Sequence, residues 1–337
     1  MKRKIRPEAI TLVIALVLFI IIISSALSGY SMSIVNVALM FAIVAYGISV
    51  MLGMGGQLTF AAVSFMGGGA YFIANVCTDR FGINMPTLPA LLLTPVVFAG
   101  IAFVIGQLLL KLKGTYFTFA TIALVQVAYA FYNNYKPVFG GADGISGVPT
   151  LDLFGYKFTS YNTWFYVLIT CVVIVALLVE RIRTTQLGRS LAAIRDNETA
   201  ALTMGINAYM TKVIAFTIAG SLAAFGGALW AMHGKFVGAD MFNYNNAAQF
   251  IIMAMLGGVN NTVGIFVGAI LVKVLPEILR SLQAYMQLIW GVLIILLMVF
   301  MPTGLAGLYD QAKAKIKLNL KKRKKGKEQA NETDFKA

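Results

Sequence analysis

The sequence predicts an all-α fold, a polytopic transmembrane helical bundle with about ten membrane segments, some of them broken or re-entrant. Of its 337 residues, 59% are hydrophobic and 12% are charged, a more apolar composition than that of a soluble domain. Apolar segments follow one another along nearly the whole chain. One long polar interval, residues 181–212, lies between two strongly apolar segments and must therefore lie in water.

The basic residues lie where they orient a membrane protein. Residues 1–6 carry four basic side chains, the tail contains KLNLKKRKKGK, and the central loop contains Arg181, Arg183, Arg189, Arg195 and Lys212. Because positively charged loops tend to stay inside the cell, both termini and the central loop are predicted to be cytoplasmic. The net charge of +14 therefore does not indicate nucleic-acid binding.

The apolar segments are predicted from their hydrophobicity and length, and from the even number of crossings that two cytoplasmic termini require. They are residues 9–27, 34–52, 58–77, 88–110, 116–132, 164–179, 213–232, 247–256, 264–279 and 288–301. The first is interpreted as a retained helix rather than a signal peptide. Reading 247–279 as one helix gives nine crossings and an external C-terminus, in conflict with the basic tail, so this stretch is divided at GGVNNTVG. Either piece could still be re-entrant. The transmembrane domain is residues 1–309, and residues 310–337 form a basic cytoplasmic tail that is predicted to be disordered.

Glycine-rich strings predict interruptions in these helices. The string GMGGQ at residues 53–57 predicts a broken helix whose freed backbone groups line a polar route through the membrane. For the glycines at 67–69, close helix packing and a break both remain open. The residues predicted to lie at or near the route are Gly53, Gly55, Gly56, Gln57, Thr59 and Ser64.

Within the central loop, helical periodicity predicts one short amphipathic helix over about residues 190–205. Its apolar side includes Leu191, Ile194 and Leu202, and Asp196 and Asn197 lie opposite. Glu198 falls near the middle of the apolar side, where Arg195 can pair with it. A helix lying on the membrane surface is the alternative. The carboxylate on the apolar side favours a protein groove instead.

Enzyme motifs are absent from the sequence. It contains no HExxH, CxxC, GxSxG or complete phosphate-binding loop and a single histidine, His233, so no catalytic or metal-binding residue is predicted. The two cysteines do not indicate a disulfide framework. An ion-coupled transporter normally needs ionisable groups inside the membrane, and Lys273 is the only charge well inside an apolar segment.

Six sequence segments resemble segments of a known family and occur in the same order. They are MLGMGGQLTFAAVSFMGGGAYF, KGTYFTFATIALVQV, GGADGISGVP, LGRSLAAIRDNETAALTMGIN, MLGGVNNTVGIFVGAIL and MPTGLAGL. In this order they resemble the LivM-type permeases, which are subunits of ATP-binding-cassette importers for branched-chain amino acids. The resemblance covers nearly the whole chain except its charged ends.

The resemblance implies a permease subunit of the cell membrane. Its expected partners are a LivH-like second permease, two cytoplasmic ATPase subunits and an extracytoplasmic amino-acid-binding protein. ATP and magnesium would be used by the ATPase subunits, and no cofactor is expected on this chain. Importers of urea, short amides or sugars remain alternatives, as does a homodimer. The residues expected to couple to the ATPase are Leu191, Ile194, Arg195, Asp196, Asn197, Glu198 and Leu202.

Overall fold

The computed structural model describes residues 29–153 and 155–279 and the isolated positions 285, 288–289, 291–292 and 295. The predicted first segment, 9–27, and the tail, 310–337, lie outside these residues, as does most of the predicted last segment. The described part therefore bears on the second to ninth predicted segments and on the central loop.

The described part of the chain is mostly helical. Helix α1 continues as a π-helix, Val50–Met54, and short 3-10 turns lie at Asp79–Phe81, Gly141–Asp143 and Ala239–Phe242. The α-helices are α1 Tyr30–Ser49, α2 Ala62–Val76, α3 Thr87–Leu109, α4 Thr115–Asn134, α5 Lys136–Phe139, α6 Tyr161–Thr184, α7 Gln186–Asp196, α8 Glu198–Thr203, α9 Ala208–Gly234, α10 Tyr244–Gly257 and α11 Thr262–Ile278.

Asparagine side chains begin four of these helices. Each accepts a hydrogen bond from the backbone N–H three residues later, at 2.9–3.0 Å, which satisfies one of the donors that a helix start leaves free. The capped helices are α8, α9, α10 and α11, and the caps are Asn197, Asn207, Asn243 and Asn261. The boundaries of these helices are thus determined by local sequence.

Helix α1 occupies the centre of the bundle. Residues 38–51 are all buried, and α6, α9, α10 and α11 pack around them. Helix α9 also packs against α2 and α3. Helices α3 and α4 lie at the outside and expose large apolar side chains, among them Leu92, Val96, Tyr116 and Phe119. An apolar surface of this kind is what a lipid environment requires.

Within the described residues, five helices are long and apolar enough to cross a membrane. They are Tyr30–Met54, Thr87–Leu109, Thr115–Asn134, Tyr161–Thr184 and Ala208–Gly234, and Ala62–Val76 is a shorter apolar helix. These helices match the predicted second to seventh segments closely. The protein is therefore a polytopic helical membrane protein, and the predicted total of about ten segments remains a prediction.

The stretch 247–279 forms two antiparallel helices, α10 and α11. A Cβ added at Gly257 would clash with Gly264 O, and one added at Gly268 would clash with Met253 O, so the two backbones lie side by side. The division predicted at GGVNNTVG is therefore present. Each helix is shorter than the five long spans.

The structure decides between the two alternatives for the glycines at 67–69. Helix α2 runs unbroken through them, and they serve close packing: a Cβ at Gly69 would clash with Ala224 O in α9. One detail of the predicted fold is corrected, because the fold is not purely helical. Two small antiparallel sheets pair β1 Ile145–Ser146 with β4 Phe236–Val237 and β2 Asp152–Leu153 with β3 Tyr156–Lys157.

Candidate functional site where the central loop meets two interrupted helices

The first interruption follows α1. The π-helix Val50–Met54 ends the helical run, and residues 55–60 are not helical. Gly56 has a φ of +65°, a conformation that residues with a Cβ rarely adopt, and its N–H donates to Leu52 O at 3.1 Å. The break predicted at GMGGQ is therefore present.

Threonine side chains hold the extended segment that follows. Thr118 Oγ1 in α4 donates to Leu58 O at 3.1 Å, and Thr121 Oγ1 accepts from Phe60 N–H at 3.2 Å. Thr59 Oγ1 accepts from the backbone N–H of the second residue after it at 3.2 Å. These backbone groups, freed by the break, are thus satisfied by protein side chains, which allows non-helical backbone at membrane depth.

The second interruption is the turn between α10 and α11. Gly258 has a φ of +98°, and its N–H donates to the carbonyl of Ala254 at 3.1 Å. Asn261 then caps α11 by accepting from Gly264 N–H at 2.9 Å. Gly258 and Asn261 thus give the chain a sharp reversal at this point.

The two interruptions contact each other. A Cβ added at Gly53 would clash with Val259 O, so only glycine allows this close approach. The orientation of the Asn260 amide is assigned from its neighbours, Gly53 O and the Arg195 guanidinium, which require the nitrogen to face Gly53 O; Asn260 then donates to that oxygen at 2.8 Å. Tyr46 OH donates to Thr262 O at 2.9 Å close by. The end of α1 and the start of α11 are therefore joined through backbone oxygens.

The central loop forms two helices rather than the single helix predicted over residues 190–205. Helix α7 ends at Asp196, and Asn197 is extended with φ −158° and ψ 107°. Its side chain accepts from Ala200 N–H at 3.0 Å and so starts α8 as a separate helix. The helical periodicity therefore does not continue through residue 197.

The apolar side of α7 faces this chain's own bundle. Leu191 and Ile194 are 0% and 4% exposed, and α7 packs against α6, α9 and the π-helix. An external groove therefore cannot receive these two side chains as the loop is folded here. In contrast, Leu202 in α8 is 54% exposed and Met204 is 82% exposed.

Arg195 joins the central loop to both interruptions. Its Nη1 donates to Gly53 O at 2.8 Å. In the assigned amide orientation, the Asn260 side-chain oxygen accepts from the same atom at 3.0 Å. Its Nε and Nη2 donate to Asp196 Oδ1 at 3.1 and 3.0 Å. Gly56 lies so close that an added Cβ would be 2.6 Å from Arg195 Cγ.

The predicted ion pair between Arg195 and Glu198 is wrong. Glu198 Oε2 lies 2.8 Å from Nζ of Lys212, a largely buried lysine in the first turns of α9. Because the chain restarts its helix at Asn197, Glu198 faces α9 rather than the preceding turn. The pair thus ties α8 to the next long helix.

A buried charge cluster was not found from the sequence. Arg183 Nη1 lies 2.9 Å from Glu180 Oε2, and Thr262 Oγ1 donates to the same carboxylate oxygen at 3.1 Å. Both charged side chains are mostly buried at the end of α6. The sequence feature that could have indicated this cluster is a pair of opposite charges three residues apart at the end of an apolar segment. This cluster fixes the first residue of α11.

The residues predicted to lie along a translocation route fall into two groups. Gly55 and Gly56 lie against Leu191 and Arg195 of α7, Gly53 lies against the turn between α10 and α11, and Gln57 follows them, with its N–H donating to Met51 O at 3.1 Å. Thr59 and Ser64 are buried further along; Ser64 O accepts from Tyr132 OH of α4 at 2.6 Å. Their part in solute passage remains a prediction.

The fold and this site together indicate the class of protein to which the chain belongs. Apolar helices that cross a membrane, two helix interruptions and a helical loop tied to both are typical of transport proteins. Among the residues that the structure describes, no three His, Cys, Asp or Glu side chains gather where they could hold a metal ion. The protein is an integral membrane protein of the transporter class.

Sequence comparison identifies the family. Residues 30–302 match the family described as "Branched-chain amino acid transport system / permease component", and the chain belongs to that family. Members of this family are permease components of transporters rather than enzymes. The match includes both interruptions and the whole central loop.

Individual relatives agree with this assignment. The chain is 28% identical over 298 residues to the high-affinity branched-chain amino acid transport system permease protein LivM of Salmonella typhimurium, covering 82% of this chain and 69% of the relative. The LivM protein of Escherichia coli is 27% identical over the same shares. A probable LivM of Methanocaldococcus jannaschii is 25% identical over 77% of this chain and 83% of its own length. No solved structure matches.

Proposed function

We propose that this chain is the membrane-spanning subunit of an ATP-driven importer of branched-chain amino acids. The observation that carries the proposal is a family match that includes a helical loop hydrogen-bonded to two interrupted membrane helices. Such a loop can pass movement from a partner at the membrane surface to the helices inside. The choice of leucine, isoleucine or valine follows from the names of the LivM relatives.

The energy for transport comes from separate subunits in this proposal. The sequence has no phosphate-binding loop, so two ATP-binding-cassette subunits would hydrolyse ATP with magnesium at the central loop. The basic character of this loop favours the cytoplasmic side. The exposed Leu202 and Met204, rather than the buried Leu191 and Ile194, supply the apolar contact with those subunits.

The remaining partners occupy other faces of the bundle. The small sheets and the loops around them lie at the end opposite the central loop, where an extracytoplasmic binding protein would deliver the solute. The exposed apolar sides of α3 and α4 face lipid or a LivH-like second permease. In this arrangement, the two interruptions close the route at its cytoplasmic end.

Uptake into proteoliposomes tests the function. The chain would be purified from its native membrane with the subunits that accompany it and reconstituted with ATP at the cytoplasmic face. We expect ATP-dependent uptake of radiolabelled leucine that excess isoleucine or valine suppresses and excess urea, acetamide or ribose does not. Suppression by one of the latter would assign a different solute. Uptake driven by an ion gradient without ATP would instead indicate a secondary transporter.

A further inference from the structure

We propose that Arg195 is a positioning residue that couples the central loop to both helix interruptions at once. Its Nη1 donates to Gly53 O in the first interruption, and the Asn260 side-chain oxygen of the second accepts from the same group. Movement of α7 therefore acts directly on the contact between residues 53 and 259–260. The link rests on geometry in this chain alone and needs no partner in order to form.

Both acceptors lie at interruptions of the helices. Gly53 lies in the π-helix before the non-helical residues 55–60, and Asn260 lies in the turn between α10 and α11. Residues at such interruptions are where a helical protein absorbs changes of backbone angle. A group that bridges two interruptions holds them in one relative position, and its withdrawal releases both.

Asp196 orients the guanidinium for this task. Its Oδ1 accepts from Nε and Nη2 of Arg195, which leaves Nη1 to point at Gly53 O. A guanidinium can serve three acceptors in one plane, whereas a lysine ammonium at the end of a flexible stem cannot reproduce the fork. The stem of Arg195 also lies against Gly56, where a Cβ would be 2.6 Å from Arg195 Cγ. The loop, the arginine and the first interruption therefore fit together as one packed unit.

The matched control is Arg189 on the same helix. It is exposed, and its Nη1 donates to Thr184 O at 2.8 Å within the central loop, without reaching either interruption. Arg189→Gln removes one positive charge from α7, as Arg195→Gln does. A difference between the two variants therefore reports the link and not the charge of the loop.

Hydrogen exchange on the full-length chain in lipid nanodiscs measures the link without any partner. In Arg195→Gln, we expect exchange roughly tenfold faster at the amides of residues 56–57 and 258–261 together, with peptides from the α1–α9 contact unchanged. Arg189→Gln should exchange as the wild type does, and Arg195→Lys should resemble Arg195→Gln. The proposal is overturned if only α7 exchanges faster, if one interruption responds without the other, or if lysine restores full protection.

If Arg195→Gln exchanges faster at amides throughout the chain, a variant with a smaller change tests the link instead. Asn260→Leu keeps Arg195 and its bonds to Asp196 and removes only the side chain that bridges Gly53 O and the guanidinium. Asn260 also donates directly to Gly53 O, so the informative amides are those of residues 195–197, which Asn260 contacts through Arg195. Faster exchange at residues 195–197 in this variant supports the link, and wild-type exchange there overturns it.

The consequence for transport rests on the proposed function. In proteoliposomes that contain the complete importer, Arg195→Gln should hydrolyse ATP at the wild-type rate and import roughly tenfold less leucine per ATP. Wild-type coupling in that variant would overturn the positioning role. If the wild-type protein shows no ATP-driven leucine uptake, the proposed function fails, and the exchange experiment still decides whether the link exists.

Discussion

Leu202 and Met204 are apolar side chains of the central loop that this chain leaves uncovered. They are 54% and 82% exposed in an otherwise polar segment at the surface of the bundle. Neighbouring apolar side chains that a fold leaves in water are typical of a surface that a partner covers. The two residues flank the C-terminal end of α8, which Glu198 and Lys212 tie to α9.

Leu202→Asp and Met204→Asp should separate the chain from the ATPase subunits of the proposed importer. An unpaired carboxylate in an apolar contact is costly, so co-purification of the ATPase and leucine-stimulated ATP hydrolysis should fall at least tenfold, about 1.4 kcal/mol or more. Thr199→Asp is the control: it adds the same charge in the first turn of the same helix, where the helix dipole favours it. Normal co-purification of both variants would mean that this surface does not contact the ATPase.

The partner of Glu198 shows what residue-level reasoning from the sequence cannot reach. Helical spacing identified Arg195 as the nearest cation and Ile194 as a docking residue. The extended Asn197 interrupts that spacing, so Glu198 instead pairs with Lys212, fourteen positions later, and Ile194 is buried. An Ile194→Asp variant would therefore test the folding of this chain rather than docking. The cap that causes the break is visible in the sequence, but its competition with a continuous helix is decided by packing.

At the scale of elements, the crossing of α2 and α9 depends on glycine in both helices. A Cβ at Gly69 would clash with Ala224 O, and a Cβ at Gly227 would clash with Met66 O. In a membrane, helices associate through close packing because lipid offers no hydrophobic driving force. The backbones thus approach at two points where no larger residue fits.

Gly69→Ala and Gly227→Ala should each destabilise the bundle. Backbone atoms cannot move aside as a side chain can, so overpacking should cost about 1–3 kcal/mol and lower the midpoint of thermal unfolding in detergent by several degrees. Gly100→Ala in α3 is the control, because nothing lies within 4 Å of its added Cβ. That substitution should be neutral or slightly stabilising, since alanine favours a helix. An equal loss of stability in all three variants would mean that replacing any glycine destabilises the bundle, and that the crossing of α2 and α9 is not the cause.

Most of the helices could be predicted from the sequence. The tertiary contacts that stabilise the two helix interruptions could not. Hydrophobic length located the described spans within a few residues, and glycine clusters located both breaks. The threonines that satisfy the first break, Thr118 and Thr121, lie about sixty residues away in sequence and carry no pattern that singles them out. Likewise, the contact between Gly53 and Val259 depends on how distant helices pack. Local propensity predicts where a helix stops, and tertiary structure decides what occupies the gap.

At the scale of the whole molecule, both interruptions lie at the same end of the bundle as the central loop. Helix α11 begins beside Tyr46 and Gly53 and ends near the start of α1, where Tyr30 OH donates to Glu277 Oε2 at 3.2 Å. It therefore runs antiparallel to α1. If α1, α2, α3, α4, α6, α9, α10 and α11 each cross, the residues before α1 and after α11 lie on the same side. Adding the predicted segments 9–27 and 288–301 then returns both termini to the side of the central loop.

Cysteine labelling tests this topology. In a Cys77→Ser, Cys171→Ser background, single cysteines would replace Lys157 in the β2–β3 hairpin, Lys113 in the turn between α3 and α4, Thr199 in the central loop, and Ala330 in the tail. The first three positions are exposed. A membrane-impermeant maleimide should label position 157 in intact cells and positions 113, 199 and 330 only after permeabilisation, because basic loops stay inside. Labelling of 157 and 199 from one side would mean that α6 does not cross, and an external 330 would leave an odd number of crossings after the central loop.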